Sequence, residues 1–151
     1  GNVYGEWDNF NLEEAHVIPA LVRKYVEAQD RGDKTITAFG SGRPTRDFVY
    51  AGDVAAAVPW FVRHYDSSEP VNVSAGRRIS IRELAETVKK TTGFAGEIVW
   101  DASKPDGQID KIFDVTRLHG LGLSCDTSLE DGLRRTVQWF LKARQEGTVR
   151  L

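Results

Sequence analysis

A few side chains in this 151-residue sequence could do chemistry, and their neighbours suggest which kind. His16 stands just ahead of an apolar run, where an imidazole can pass a proton near neutral pH or can simply cap a helix or pack against it. Lys24 and Arg46 can each hold phosphate, the lysine as a point charge and the arginine through a bidentate fork, or can stay solvated. The run from Asp101 to Lys111, DASKPDGQIDK, mixes carboxylates with lysines around Pro105 and Gly107. A loop that grips sugar or ribose hydroxyls has this make-up, and so does an ordinary exposed turn.

Other chemistries lack their parts. Gly40, Ser41 and Gly42 lack the third glycine of a dinucleotide fingerprint and lead into a strand-like segment rather than a helix, so they read as a tight turn joining two strands. No tyrosine is followed by a lysine four residues on, and no serine-hydrolase elbow, zinc-protease helix or P-loop occurs. The one cysteine, Cys125, supports neither a disulfide framework nor a cysteine metal cluster, and no metal site is expected. A net charge of -2 with both signs interspersed argues against nucleic acid and membrane partners. With no apolar run of membrane-spanning length and no leader-like start, a cytoplasmic location is expected.

These residues need elements to position them. The spacing of Val17, Ile18, Leu21, Val22, Tyr25 and Val26, with Glu13 and Glu14 ahead, predicts a helix over 14–29. Thr35 to Phe39 and Asp47 to Tyr50 read as two strands around the glycine turn. Asp53 is expected to cap a helix striped by Val54, Val58, Phe61 and Val62, kinked or started late at Pro59. Pro70 to Val73 and Glu97 to Trp100 read as further strands. Ser80 with Glu83 forms a capping box for a helix that runs to Thr92 and stops at Gly93. Asp114 caps a short helix ending near Gly120, and Thr127 with Glu130 forms a second capping box. The helix after it aligns Leu129, Leu133, Val137, Phe140 and Leu141. Trp60, Trp100 and Trp139 are expected in the core, and His64 and His119 against the last carbonyls of helices. Strands alternating with helices give an α/β or α+β fold, with too few units for a complete doubly wound sheet.

Several strings carry a more specific resemblance: Asn2-Val3-Tyr4-Gly5, Asp8-Asn9-Phe10, His16-Val17-Ile18-Pro19-Ala20-Leu21, Gly40-Ser41-Gly42, Ile81-Arg82-Glu83-Leu84-Ala85, Asp101-Ala102-Ser103-Lys104-Pro105-Asp106-Gly107 and Asp114-Val115-Thr116-Arg117-Leu118. By these the sequence resembles, from end to end, the GDP-L-fucose synthases. These are extended short-chain dehydrogenases/reductases that epimerise and reduce GDP-4-keto-6-deoxymannose with NADPH. The resemblance implies that residues 1–151 form one C-terminal substrate-binding domain of a partial extended short-chain dehydrogenase fold, with the N-terminal Rossmann half absent. That half carries the cofactor loop, the Ser/Tyr/Lys set and the cysteine that partners the catalytic histidine, which Cys125 does not match.

Carried over residue by residue, Asn2 and Val3 lie along the nicotinamide cofactor, and His16 is the epimerisation acid that also approaches it. Lys24, Phe39, Arg46, Asp106 and Lys111 hold the GDP-sugar. Phe39 stands where the family has tryptophan and can still stack. Asp110 replaces a basic residue and is expected to weaken diphosphate binding. The expected function is the GDP-sugar-binding portion of such an enzyme, with neither NADP binding nor catalysis by this chain alone. One alternative is half of a split enzyme, active with an N-terminal dinucleotide-binding chain. The other is a repurposed interaction protein that self-associates, for instance as a homodimer.

Overall fold

A computed structural model describes residues 1–151. Three short sheets organise the chain. β1 (Asn2–Tyr4) pairs in parallel with β4 (Phe48–Tyr50), and β2 (Thr35–Phe39) pairs in parallel with β6 (Glu97–Asp101). β3 (Thr45–Arg46) lies between β5 (Ile79–Ser80), antiparallel to it, and β7 (Asp110–Lys111), parallel to it. The helices are α1 (Val17–Arg31), α2 (Ala51–His64), α3 (Ile81–Thr92), α4 (Thr116–Gly120) and α5 (Leu129–Gln145). The architecture is mixed α/β, as the alternation of elements predicts, but β2 and β4 are not paired. The glycine turn leads from β2 into β3, which belongs to another sheet.

The main core fills the space between α1, α3 and α5. Ile18, Val22 and Tyr25 meet Leu84 and Val88, and Leu133, Val137 and Phe140 close it together with Phe10. Each such burial contributes about 1.5–3 kcal/mol, so these three helices fix the frame on which the sheets sit. Leu141 is exposed and leaves the α5 stripe, and Trp60, Trp100 and Trp139 are only partly buried. Trp139 instead covers Phe10 at 5.9 Å between ring centres. A smaller cluster of Val49, Leu118 and Cys125 joins β4 to α4.

Several boundaries differ from the local signals. α1 starts at Val17 because Glu14 and Ala15 donate to the Asn11 carbonyl in a separate turn that uses up the acidic pair. α2 begins ahead of Asp53 and runs on through Pro59, both Ala55 and Pro59 being exposed, so water can reach the unpaired Ala55 carbonyl. Asp53 caps nothing in its own helix, and its carboxylate accepts from Thr127 N at 2.9 Å and Thr127 Oγ1 at 2.6 Å. With Thr127 so engaged, α5 is capped one residue later, where Ser128 Oγ accepts from Asp131 N. Pro70–Val73 forms no strand: Arg117 donates to the Pro70 carbonyl, the terminal ammonium of Gly1 donates to the Val73 carbonyl, and the Asn72 side chain donates to Asp114 O. Ser80 caps α3 and Gly93 ends it in the left-handed conformation, as read from the sequence. Asp114 Oδ1 likewise accepts from Thr116 N at the start of α4. His64 packs against Trp60 rather than a terminal carbonyl.

α2 has an unusual exposure pattern. Ala55, Val58, Pro59 and Val62 form a stripe at helical spacing, yet only Ala57 of the helix is buried, and Val62 remains 80% exposed. No helix is long and apolar enough to cross a membrane.

Candidate functional site

The parallel pairing of β2 with β6 sends the chain out of both strands at one end, the carboxyl end, where open α/β sheets take ligands. Two loops start there. The first is the glycine turn, in which Gly40 and Gly42 have φ of +78° and +76°. A side chain at Gly40 would strike Asp106, and one at Gly42 would strike Trp100 and Arg82, so close approach and backbone sign both demand glycine. The second is the polar run after Asp101. Asp106 locks the loops together, since its carboxylate accepts from Ser41 N at 2.6 Å and Ser41 Oγ at 2.7 Å.

Those two bonds hold the Asp106 carboxyl below the usual carboxylate range. A depressed folded-state pKa contributes stability that is present above the unfolded value, about 4, and is lost as pH falls through the folded one. The Ser41–Asp106 latch should therefore survive at pH 4 and open only on further acidification. The Ser41 amide shift, followed by NMR across an acid titration, checks this, and a midpoint at or above pH 4 would contradict it.

Lys24, from α1, brings its Nζ to 5.1 Å from the centre of the Phe39 ring at the end of β2. Lys24, Phe39 and Asp106 thus gather at one end of the β2–β6 pair. Arg46 and Lys111 meet on the neighbouring sheet, opposite each other in the β3–β7 register. Arg46 Nη1 donates to Thr45 O and Gln108 O at 2.8 and 2.7 Å, which orients the guanidinium and leaves its other N–H groups without a protein acceptor. Lys111 Nζ lies 5.9 Å from the Phe113 ring. Asp110 accepts from Thr45 Oγ1 and pairs with Arg78 at 2.5 Å, and these bonds hold its carboxyl below the usual carboxylate range.

Asn2, Val3 and His16 line a third region, a pocket of about 170 Å³ shared with Tyr4, Ile18 and Phe48. His16 is the N-cap residue of α1, exposed and making no side-chain cap bond, so its imidazole is free to meet a ligand. The Asn2 amide donates to Asp47 O at 2.9 Å.

Asp47 is a residue that sequence reasoning missed. Fully buried, it accepts through its carboxylate from Gly76 N at 3.0 Å and Arg77 N at 3.4 Å. Its carbonyl takes both Asn2 N and the Asn2 amide, so Asp47 fixes the β1 edge of the pocket from the residue after Arg46. The sequence signal was an acidic residue at the head of an otherwise apolar run. Arg82 was missed too: it lies 4.5 Å over Trp100 and donates to Ser41 O, bracing the glycine turn.

A profile of the NAD dependent epimerase/dehydratase family matches residues 1–76. GDP-L-fucose synthase 1 of Arabidopsis thaliana is 43% identical over 141 residues, covering 93% of this chain and 44% of the relative. GDP-L-fucose synthase of Escherichia coli K12 is 43% identical over 150 residues, covering 93% and 47%. Among solved structures, a GDP-L-fucose synthetase from Naegleria fowleri bound to NADP superposes with a TM-score of 0.92 at 37% identity, over 99% of this chain and 47% of that one. A UDP-glucose 4-epimerase from Thermotoga maritima with UDP-glucose gives 0.79 at 31% identity, over 95% and 44%. The chain spans somewhat under half the length of these relatives.

Proposed function

The chain belongs to the NAD dependent epimerase/dehydratase family, and we propose that it forms the nucleotide-sugar side of a GDP-L-fucose synthase-like site, binding the GDP-sugar without turning it over on its own. The observation that carries this reading is the juxtaposition of Arg46 and Lys111. These two cations, distant in sequence, are opposite one another in the β3–β7 register, with most of the Arg46 fork unspent. A diphosphate asks for such a pair. Asp106, both of whose oxygens already accept from Ser41, keeps lone pairs for one further hydroxyl donor and holds the two loops at a fixed distance.

The pocket beside His16 fits part of a nicotinamide cofactor but not all of it. Whole ligands occupy pockets of roughly 300–1,000 Å³, and this one, at about 170 Å³, has room for a ring. Asn2, Val3 and His16 would border that ring, and most contacts to NADP would come from elsewhere. When bound, the cofactor supplies hydride; this chain's part is to present His16 as a proton donor at the same place.

A second reading, a half-enzyme completed by a dinucleotide-binding chain, is favoured by one feature. The apolar α2 stripe of Ala55, Val58, Pro59 and Val62, beside β1 and β4, lies open. A homodimer through the same face is the competing arrangement.

Calorimetric titration with GDP-mannose tests the binding reading. Wild-type chain should give a saturable isotherm, and Arg46→Ala should weaken it at least about tenfold, the worth of a charge-assisted contact. A wild-type chain with no binding at millimolar GDP-mannose would sink the proposal.

A further inference from the structure

We propose that the free edge of β2 takes an extended segment of a partner protein as an added strand, with an acidic side chain of that segment meeting Lys24. This surface is separate from the nucleotide-sugar reading, which Arg46 and Lys111 carry.

The β2–β6 sheet has two strands, so each has one unpaired edge. The phase of the ladder says which groups face outward. Glu97 N donates to Lys34 O at 2.9 Å and Gly40 N donates to Asp101 O at 3.0 Å, so the even-numbered residues of β2 turn both main-chain groups toward β6. The N–H and C=O of Thr35, Thr37 and Phe39 therefore point the other way, where the chain offers them no partner.

A groove of about 380 Å³ runs along that edge. Thr35, Ile36 and Thr37 line it consecutively, although neighbours in a strand turn their side chains to opposite faces, so the groove looks onto the main-chain edge itself. Leu12 and the α1 side chains Lys24, Glu27 and Arg31 help to enclose it. At about 3.3 Å per residue, the three β2 residues give a seat roughly 10 Å long. The two edges of the sheet also differ in kind. Ile98 and Trp100, whose main-chain groups face out from β6, are flanked by Glu97 and Asp101, charges of the sort that discourage edge pairing. β2 reads Thr-Ile-Thr-Ala-Phe, with neither charge nor proline to repel an added strand.

The charges around the groove select the occupant. Glu27 is paired with Arg23 and Arg31, and Arg31 also holds Asp33, but Lys24 has no carboxylate partner. Its ammonium rests 5.1 Å from the centre of the Phe39 ring, a contact that leaves the charge unneutralised. An acidic side chain on the added strand satisfies it. A second copy of this chain fits less well. α1 runs back along β2, with Lys24 at the Phe39 end and Arg31 at the Thr35 end, so a two-fold axis through Thr37 would bring each Lys24 toward the other copy's Arg31.

The probe is an end-capped peptide of alternating threonine and valine around a central glutamate, N-methylated at every second residue so that one edge alone can pair. Amide NMR of the full chain should show Thr35, Thr37 and Phe39 shifting and gaining exchange protection, while Ile36 and Ala38, already bonded to β6, change little. The fully N-methylated peptide should not bind. Thr37→Pro removes an N–H that the chain itself does not use, and should weaken the peptide roughly three- to tenfold with thermal unfolding unchanged. The wild type should prefer this peptide to its lysine counterpart, and Lys24→Met should lose that preference. No amide shifts at millimolar peptide, or equal binding of the fully N-methylated form, would overturn the edge; this comparison needs no variant and decides the matter even if Thr37→Pro fails to fold. Equal affinity of the wild type for the glutamate and lysine peptides would overturn the acidic partner. A concentration-dependent dimer in sedimentation that Thr37→Pro dissolves would give the edge to a second copy instead. None of these readouts involves a nucleotide, so this proposal and the nucleotide-sugar reading can each fail alone.

Discussion

Asp47→Ala should lower the urea midpoint of unfolding by an amount equivalent to roughly 3 kcal/mol, a large part of the stability of a chain this size. The fully buried carboxylate is held by two backbone amides from the segment that follows Ser74, and no solvent waits to replace it. Alanine would leave Gly76 N and Arg77 N as unpaired donors and open a void between β4 and that segment. Asp47→Asn separates the two effects. Its single carbonyl oxygen can still serve one amide, but its NH₂ faces the other donor, so it should recover less than half of the loss. Chemical denaturation of the three proteins checks the ordering. A loss within 1 kcal/mol for alanine would mean that the segment 74–77 relaxes freely, and that Asp47 does not hold the pocket edge.

His16→Gln should abolish product formation when this chain is combined with the N-terminal half of a GDP-L-fucose synthase such as the Escherichia coli relative. The expected fall is roughly 10²–10⁴-fold, the usual worth of a positioned proton donor. Glutamine keeps hydrogen-bonding capacity and size but cannot exchange a proton. The imidazole makes no side-chain cap bond and is exposed, so the fold has little to lose by its removal. GDP-mannose affinity, which the proposed function assigns to other residues, should be unchanged. Turnover that persists within threefold of wild type would assign the proton to another residue.

Much of the local structure was legible because its determinants lie within one turn of chain. Ser80 and Glu83 mark the start of α3, Gly93 its end, and the Val17–Val26 stripe the buried face of α1. Where a distant partner competes for a residue, local reading failed. Thr127 looked like a cap but is claimed by Asp53, 74 residues away, which shifts the true cap to Ser128. Strand pairing was illegible for the same reason. Nothing near Thr35 says that its neighbour is Glu97, because a parallel pair is joined by a long crossover. The candidate site divides along the same line. Residue types suited to phosphate could be read at Lys24 and Arg46, and the likeness to a known family added Lys111 to them. That Arg46 stands in register with Lys111, and that Asp106 is fastened to Ser41, needed the fold.

The Ser41–Asp106 latch also bears on when in folding the site comes into being. It closes a loop of 65 residues, and the β2–β6 ladder beneath it is equally non-local. Such contacts pay their chain entropy before they return anything, as does the docking of α1 on α3 across a similar separation. Partly folded chains that lack the β2–β6 ladder would carry Lys24 without the two loops of the site. A ligand that needs both loops will therefore recognise the finished native state alone, and will draw the folding equilibrium toward it by mass action.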